Sequence, residues 1–237
     1  MAVAEREHAA VEVVDLETTS LRELNQRLHE LAAGAGPRHW RVVNPSGAHA
    51  VACGLDADVE VEIDGHVGYY CAGMNMLATV RVHGNASTGI AENMMSGRVE
   101  VDGNVSQSAG ATGRGGLLVV HGNASSRCGI SMKGIDIVVG GSVGHMSAFM
   151  AQTGCLVVCG DAGEALGDSI YEARLYVRGD VASLGADCVE KEMRDEHRGQ
   201  VRGLLDAAGI DAEPADFRRY GSARQLYTFK IDNAGAY

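Results

Sequence analysis

Proline, aromatic residues and basic charge are all scarce in this chain, and each shortage narrows what it can be. With 3 Pro and 5% aromatic residues in 237 positions, it lacks the bulky side chains that usually fill a compact globular core. Its 20 Lys and Arg face 31 Asp and Glu, and a net charge of −11 argues against a nucleic-acid partner or an anionic membrane surface. No apolar run approaches membrane-spanning length. The opening Met1-Ala-Val-Ala-Glu-Arg-Glu-His lacks the basic and apolar regions of a signal peptide, so a cytoplasmic location is expected. The six cysteines include no CxxC pair, which leaves no zinc or iron–sulfur signature. Cys155 and Cys159 are four apart on one predicted strand, about 13 Å, too far for a disulfide. Cys71 and Cys128 share a repeat phase but lie three coils apart. With Cys53 and Cys188, these are expected to be reduced, structural thiols.

Glycine, by contrast, is abundant, with 32 residues, and its spacing is regular. Gly65, Gly84, Gly103, Gly122, Gly141, Gly160 and Gly179 recur every 19 residues, each after an alternating strand such as Val80-Arg81-Val82-His83. Fixed spacing of this kind marks stacked units that each bury an apolar face against a neighbour. Four residues before each glycine stand Val61, Val80, Val99, Leu118, Ile137, Leu156 and Leu175. Two before it stand Ile63, Val82, Val101, Val120, Val139, Val158 and Val177. Side chains two apart on a strand share a face, so these form two inward ladders. Two after the glycine, Val and Ala alternate from Val67 to Val181, letting stacked layers interdigitate. Seven after it come only Ala or Gly (Ala72, Ala91, Gly110, Gly129, Ala148, Gly167, Ala186), as a tight corner requires.

A 19-residue coil with one clear strand and several small corners predicts an all-β fold, a right-handed parallel β-helix of about seven coils spaced by ~4.8 Å. The rival solenoid, the leucine-rich repeat, is disfavoured because no asparagine–leucine ladder and no helical half fit within 19 residues. Residues 1–39 form an amino-terminal extension in which Ser20-Leu21-Arg22-Glu23 is a capping box. It opens a helix with Leu21, Leu24, Leu28 and Leu31 on one face, closing near Gly34 and Gly36-Pro37. Residues 40–189 form the β-helix, with 40–58 an irregular first coil because Gly47 is one residue out of phase. Residues 190–237 form a helical and extended docking tail. Its helical pattern runs over 189–208 through Val189, Met193, Val201 and Leu204 or Leu205.

Several positions resemble chemistry and have a structural reading beside it. Asn85, Asn104 and Asn123, each one residue after a repeat glycine, begin glycosylation sequons, but a stacked amide ladder at the turn accounts for them better. Asp64, His83, Asp102 and His121 alternate up the outer face, as do Glu62, Arg81 and Glu100, which is the expected arrangement for cross-rung ion pairs. A catalytic Asp–His pair is the alternative, and it lacks a nucleophile in the same ladder. The Gly110-Ala-Thr-Gly113-Arg-Gly115-Gly116 run imitates a phosphate loop but opens no helix and lacks the lysine of one, so corners are expected there. Beyond Glu100 the outer ladder turns apolar at Val119, Val138, Val157 and Tyr176. Such a stripe is normally covered, by the carboxy-terminal segment or by another subunit. With Arg218, Arg219, Tyr220 and Tyr227 of the tail, these residues make up the candidate interface.

The Val-x-Val-x-Gly-(Asn/Asp)-(Ala/Val) coils resemble the glycine-rich "GXGXG" β-helix domain at the carboxy-terminal end of the glutamate synthase large subunit. Related β-helices occur in formylmethanofuran dehydrogenase. The resemblance covers about residues 40–190. The ending Ser222-Ala-Arg-Gln-Leu-Tyr-Thr-Phe and the free-standing length are most similar to the β-helix subunit of N-methylglutamate synthase, a complex that converts glutamate and methylamine to N-methylglutamate and ammonia. The resemblance implies a non-catalytic scaffold within a hetero-oligomer. It would join an amidotransferase-like subunit to an FMN-binding glutamate-synthase-like subunit, with FMN, and optionally an iron–sulfur cluster, held by those partners. Ala2 follows Met1 where an amidotransferase would carry its processed cysteine, and no catalytic, cofactor or metal residue is transferred to this chain. The alternatives are a β-helix subunit of a formylmethanofuran dehydrogenase or formyltransferase-type complex, and an independent β-helix carbohydrate-active enzyme.

Overall fold

The computed structural model describes residues 11–31, 34, 36 and 38–223. Nine strands stack in parallel: β1 (Val11–Asp15), β2 (His39–Val43), β3 (Glu60–Asp64), β4 (Thr79–Val82), β5 (Arg98–Val101), β6 (Leu117–Val120), β7 (Lys133–Val139), β8 (Thr153–Val158) and β9 (Arg174–Val177). From β3 onward the register steps by one repeat per rung, so that Val61 faces Val80, Val80 faces Val99 and Val99 faces Leu118. A second side of the coil is held by single parallel bridges linking Val67, Ala86, Val105, Ala124, Val143, Ala162 and Val181 in turn. The chain is thus a parallel β-helix, and both aliphatic ladders lie inside it, fully buried from Val61 to Val177.

The corners explain the small-residue column. Ala72, Ala91, Gly110, Gly129, Ala148 and Gly167 all have left-handed backbone, with φ between 52° and 68°. Tyr70, Met74 and Arg127 share that backbone at exposed corners, so it is burial together with the dihedral that confines this column to Ala and Gly. The strain is offset by hydrogen bonds between coils, as where the N–H of Ala91 donates to the Cys71 carbonyl and that of Gly110 to the Ile90 carbonyl. At Gly110 a Cβ would also lie 2.6 Å from Ile137 Cδ1. The Gly110–Gly116 run is therefore built of corners, with Gly113 pressed against Ile135.

The repeat glycines have a different cause. At Gly103 φ is not in the left-handed region, but a Cβ there would stand 2.6 Å from the Gly84 carbonyl oxygen of the preceding coil, and Gly122 repeats this against Gly103. Close stacking on the preceding coil, not an unusual dihedral, demands glycine at Gly103 and Gly122, whereas Gly65, which opens the series, has φ 133°.

Both ends depart from the sequence-based expectations. Before the helix lies β1, which pairs in parallel with β2 and adds a rung that the patterning did not reveal. Helix α1 (Leu21–Glu30) connects these two rungs. Ser20 Oγ accepts from the Glu23 N–H at 3.2 Å, and Leu24, Leu28 and Leu31 are buried over the end of the core. The first coil is irregular: Trp40 pairs with Val61, a longer step than the 19 residues from Val61 to Val80.

At the other end the helix begins six residues later than the periodicity suggested. Cys188–Lys191 forms strand β10, and α2 runs over Asp195–Ala208, so Val189 belongs to a strand and is exposed. Strand β11 (Arg218–Ser222) then inserts between β9 and β10, antiparallel to both. The alternating Val189 side chain satisfied a helical template by coincidence, because short apolar runs fit both periods. The reversal caps the growing sheet edge, which would otherwise offer unpaired backbone groups to another chain.

Candidate functional site

The outer stripe is the feature around which the tail is organised. Val119, Val138, Val157 and Tyr176 stand opposite one another on β6 to β9 and are fully buried. They share one apolar cluster with Val201, Leu205 and Ala208 of α2, followed by Ala212 and Phe217. A 14-residue helix is about 21 Å long, enough to lie over four rungs at ~4.8 Å spacing. Burial of each valine contributes about 1.5–3 kcal/mol. The chain's own carboxy-terminal segment therefore covers the stripe.

Polar contacts fix that packing at its margins. Tyr176 Oη donates to Gln200 Oε1 at 2.8 Å, and an Arg174 guanidinium nitrogen donates to the same oxygen at 3.0 Å. Burial pushes the Tyr176 phenol up to about 12, so it stays a donor. At the far end of α2, Arg98 donates to the Ala207 carbonyl at 2.8 Å while holding Glu100 through its other nitrogens. From β11, Arg218 donates to the Gly179 carbonyl, Arg219 to the Glu192 carbonyl, and Tyr220 is buried against the solenoid core. Arg218 and Tyr220 hold the segment to the last coil, and Arg219 ties β11 to the link between β10 and α2. Tyr227 lies outside the described residues.

The turn ladder is a relay of side-chain oxygens to backbone, not of amides to one another. The N–H of Asn104 donates to Asn85 Oδ1 (2.7 Å), that of Asn123 to Asn104 Oδ1 (2.8 Å) and that of Ser142 to Asn123 Oδ1 (2.8 Å). The series continues through Ser142 Oγ to the N–H of Asp161 and through Asp161 Oδ1 to that of Asp180. Only an acceptor close to Cβ is needed, which is why Asn can give way to Ser and Asp along the column.

On the outer face of the early coils the charges pair less regularly than simple alternation suggests. His83 Nδ1 lies 2.9 Å from Asp102, but His121 turns aside to Glu100 at 2.8 Å, and Asp64 is held by Arg41 at 2.7 Å. Arg81 stands 4.0 Å from both Glu60 and Glu100. Burial opposes ionisation of Glu100, yet the hydrogen bonds from His121 and Arg98 and the nearby cations outweigh it and hold its pKa below the ordinary value. The partly exposed pairs stabilise little individually.

All six cysteines are free. Burial pushes the Cys128 and Cys155 thiols up to about 12, which disfavours the reactive thiolate. Among the described residues no group of three or more His, Cys, Asp or Glu is placed to hold a metal ion, and no helix is long and apolar enough to cross a membrane.

One surface was not singled out by the sequence. Tyr69, Tyr70, Met74, Met76, Leu77 and Met95 are exposed at the corners of two adjoining coils, Met74 by 55% and Leu77 by 54%. The Tyr69 ring stacks on His49 at 4.4 Å and meets Tyr70 edge-on, so the aromatic part is ordered by its neighbours. The available signal was a break in column composition. At 19-residue steps the column of Met76 and Met95 continues as Arg114 and Lys133, and that of Met74 as Asn93, Thr112 and Ser131.

These features define a class: a parallel β-helix protein of 19-residue coils whose carboxy-terminal helix is docked along one outer face. No family model matches the sequence. A relative in Rhizobium meliloti (strain 1021), named Protein GlxC, is 64% identical over 226 residues, covering 95% of this chain and 99% of the relative. The chain belongs to the GlxC family.

Proposed function

We propose that this chain is a non-catalytic scaffold subunit of a glutamate-synthase-like flavoenzyme complex, with N-methylglutamate synthase as the particular assembly. In this reading it joins an amidotransferase-like subunit to an FMN-binding synthase subunit, and the cofactors belong to those partners. The observation that carries the reading is the exposure of Tyr70, Met74, Met76, Leu77 and Met95 on two adjoining coils, because large apolar side chains concentrated in this way suit a protein contact. The resemblance of the 19-residue repeat to the β-helix domain of glutamate synthase supports the choice of complex. The stripe from Val119 to Tyr176 is occupied by the chain's own tail, so this reading assigns the partner contact to the corners of the early coils.

The test is affinity purification of the tagged protein from its native source, with and without a Met74→Glu, Met76→Glu double substitution. The expected outcome is co-purification of a yellow flavoprotein with the unsubstituted chain and its loss with the variant, both proteins melting at the same temperature. Molybdenum or tungsten proteins in place of the flavoprotein would replace this reading with the formylmethanofuran-type complex. Turnover of glutamate and methylamine by the isolated chain would overturn the scaffold role.

A further inference from the structure

Beside the covered stripe, the tail does not close completely on the solenoid. A cleft of about 550 Å³ remains, lined by Asp136, Glu172, Arg174, Lys191, Gln200 and Arg219 among others. Register explains why cations meet there. Arg219 on β11 stands opposite Tyr176 on β9 and opposite Lys191 on β10, so all three share the outward face. Arg174 precedes Tyr176 by two residues on that same face of β9. Three cationic side chains thus come from three neighbouring strands.

Their charge is only partly offset, three cations facing the two carboxylates of Asp136 and Glu172. Among the described residues, none of Arg174, Lys191 and Arg219 forms an ion pair with a carboxylate, although Asp136 and Glu172 line the same cleft. Arg219 lines the cleft while one guanidinium nitrogen donates to the Glu192 carbonyl at 3.1 Å, a neutral acceptor that leaves its charge uncompensated. Asp136 Oδ1 is committed to the Cys155 N–H at 3.0 Å, and burial raises that carboxyl's pKa against the opposing pull of that hydrogen bond and of the Arg174 charge.

We propose that this cleft binds a small organic dicarboxylate. Guanidinium groups suit the planar, two-oxygen face of a carboxylate. The cations sit on β9, β11 and β10, adjacent strands spaced by ~4.8 Å, so the positive charge is spread along the cleft instead of being gathered at one point. Two carboxylates on a short carbon chain match that spread, whereas a single compact anion engages only part of it. The bound ligand would bridge the last coil to the β10–β11 ribbon and, through Arg174 and Gln200, to α2. The proposal rests on the cleft alone and is independent of the scaffold role.

Calorimetry on the isolated full-length chain tests it, with succinate as the probe and propionate and inorganic phosphate as comparisons at matched ionic strength. Succinate is expected to bind with a dissociation constant at least tenfold below that of either comparison. Arg219→Gln and Lys191→Gln should each weaken succinate binding by tenfold or more. Circular dichroism establishes that each variant is folded, and the unsubstituted chain's preference among the three probes stands whether or not a variant folds. No binding of succinate by the unsubstituted chain at 10-millimolar order, on the scale of weak carboxylate contacts, overturns the site. Equal binding of phosphate, or succinate binding unchanged in both folded variants, overturns the assignment as well.

Discussion

Tyr176 and Gln200, 24 residues apart in sequence, share a 2.8 Å hydrogen bond that ties the last rung of the outer stripe to the middle of α2. The bond sits at the edge of an apolar contact, so the two contributions can be separated by mutation. Tyr176→Phe keeps the ring and loses the hydroxyl, and is expected to lower stability by about 1 kcal/mol. Val138→Glu places a carboxylate under α2 and is expected to cost about 3 kcal/mol or more in the isolated chain. Urea unfolding of the two variants checks the ranking. Equal stability of Val138→Glu and the unsubstituted chain would show that the tail does not pack there in solution.

The turn relay makes a graded prediction at Asn104, whose Oδ1 accepts from the Asn123 N–H. Asn104→Ala leaves that amide without its acceptor and should cost about 1–2 kcal/mol, while Asn104→Asp should retain most of the stability. Faster hydrogen exchange at the Asn123 amide in the alanine variant alone is the diagnostic readout.

Gly103 tests the stacking explanation. Because a Cβ there would approach the Gly84 carbonyl oxygen to 2.6 Å, Gly103→Ala should force two coils apart and cost about 1–3 kcal/mol. The left-handed corners already contain alanine at Ala91 and Ala148, so Ala91→Gly should change stability by less than Gly103→Ala does. Thermal melts of the pair decide whether contact or dihedral preference governs the repeat glycines.

Acidification should loosen the tail through His197. This buried imidazole accepts from the Arg194 N–H at 3.1 Å at the start of α2. Burial lowers its pKa first, and the charges of Arg219, Arg174 and Arg194 lower it further, against the opposing pull of Glu196. A histidine whose folded pKa is depressed is neutral in both states above its ordinary value near 6.5. Below that pH the unfolded chain takes up the proton first, so stability falls as pH drops from about 6.5 toward the folded value. His197→Gln should flatten the melting temperature over that window, and an unaltered slope would assign the pH dependence to other groups.

The solenoid and its two internal ladders were readable from the repeat because every coil meets the next through the same columns. The corner column of Ala and Gly was equally readable, since the corners from Ala72 to Gly167 are buried against the core, as at Gly110 beside Ile137, and leave a large side chain no room. Strand β1 escaped notice because Val11–Asp15 lies before a helix and outside the 19-residue phase, so nothing in its own pattern announces a further rung. The start of α2 was misplaced because Val189 fits a helical face and a strand equally well over so short a span. The candidate cleft could not be seen at all: Arg174, Lys191 and Arg219 have no common spacing, and only strand reversal brings them together.

Sequence alone determined the stacked architecture, the identity of the inner ladders and the existence of an outer apolar stripe. These depend on local periodicity, which each coil restates. Tertiary structure alone decided what covers the stripe, the antiparallel placement of β11 between β9 and β10, and which corners remain exposed. Those outcomes turn on single, unrepeated contacts between distant segments. Their energies come from area buried and hydrogen bonds completed, quantities that exist only once the chain has folded back on itself.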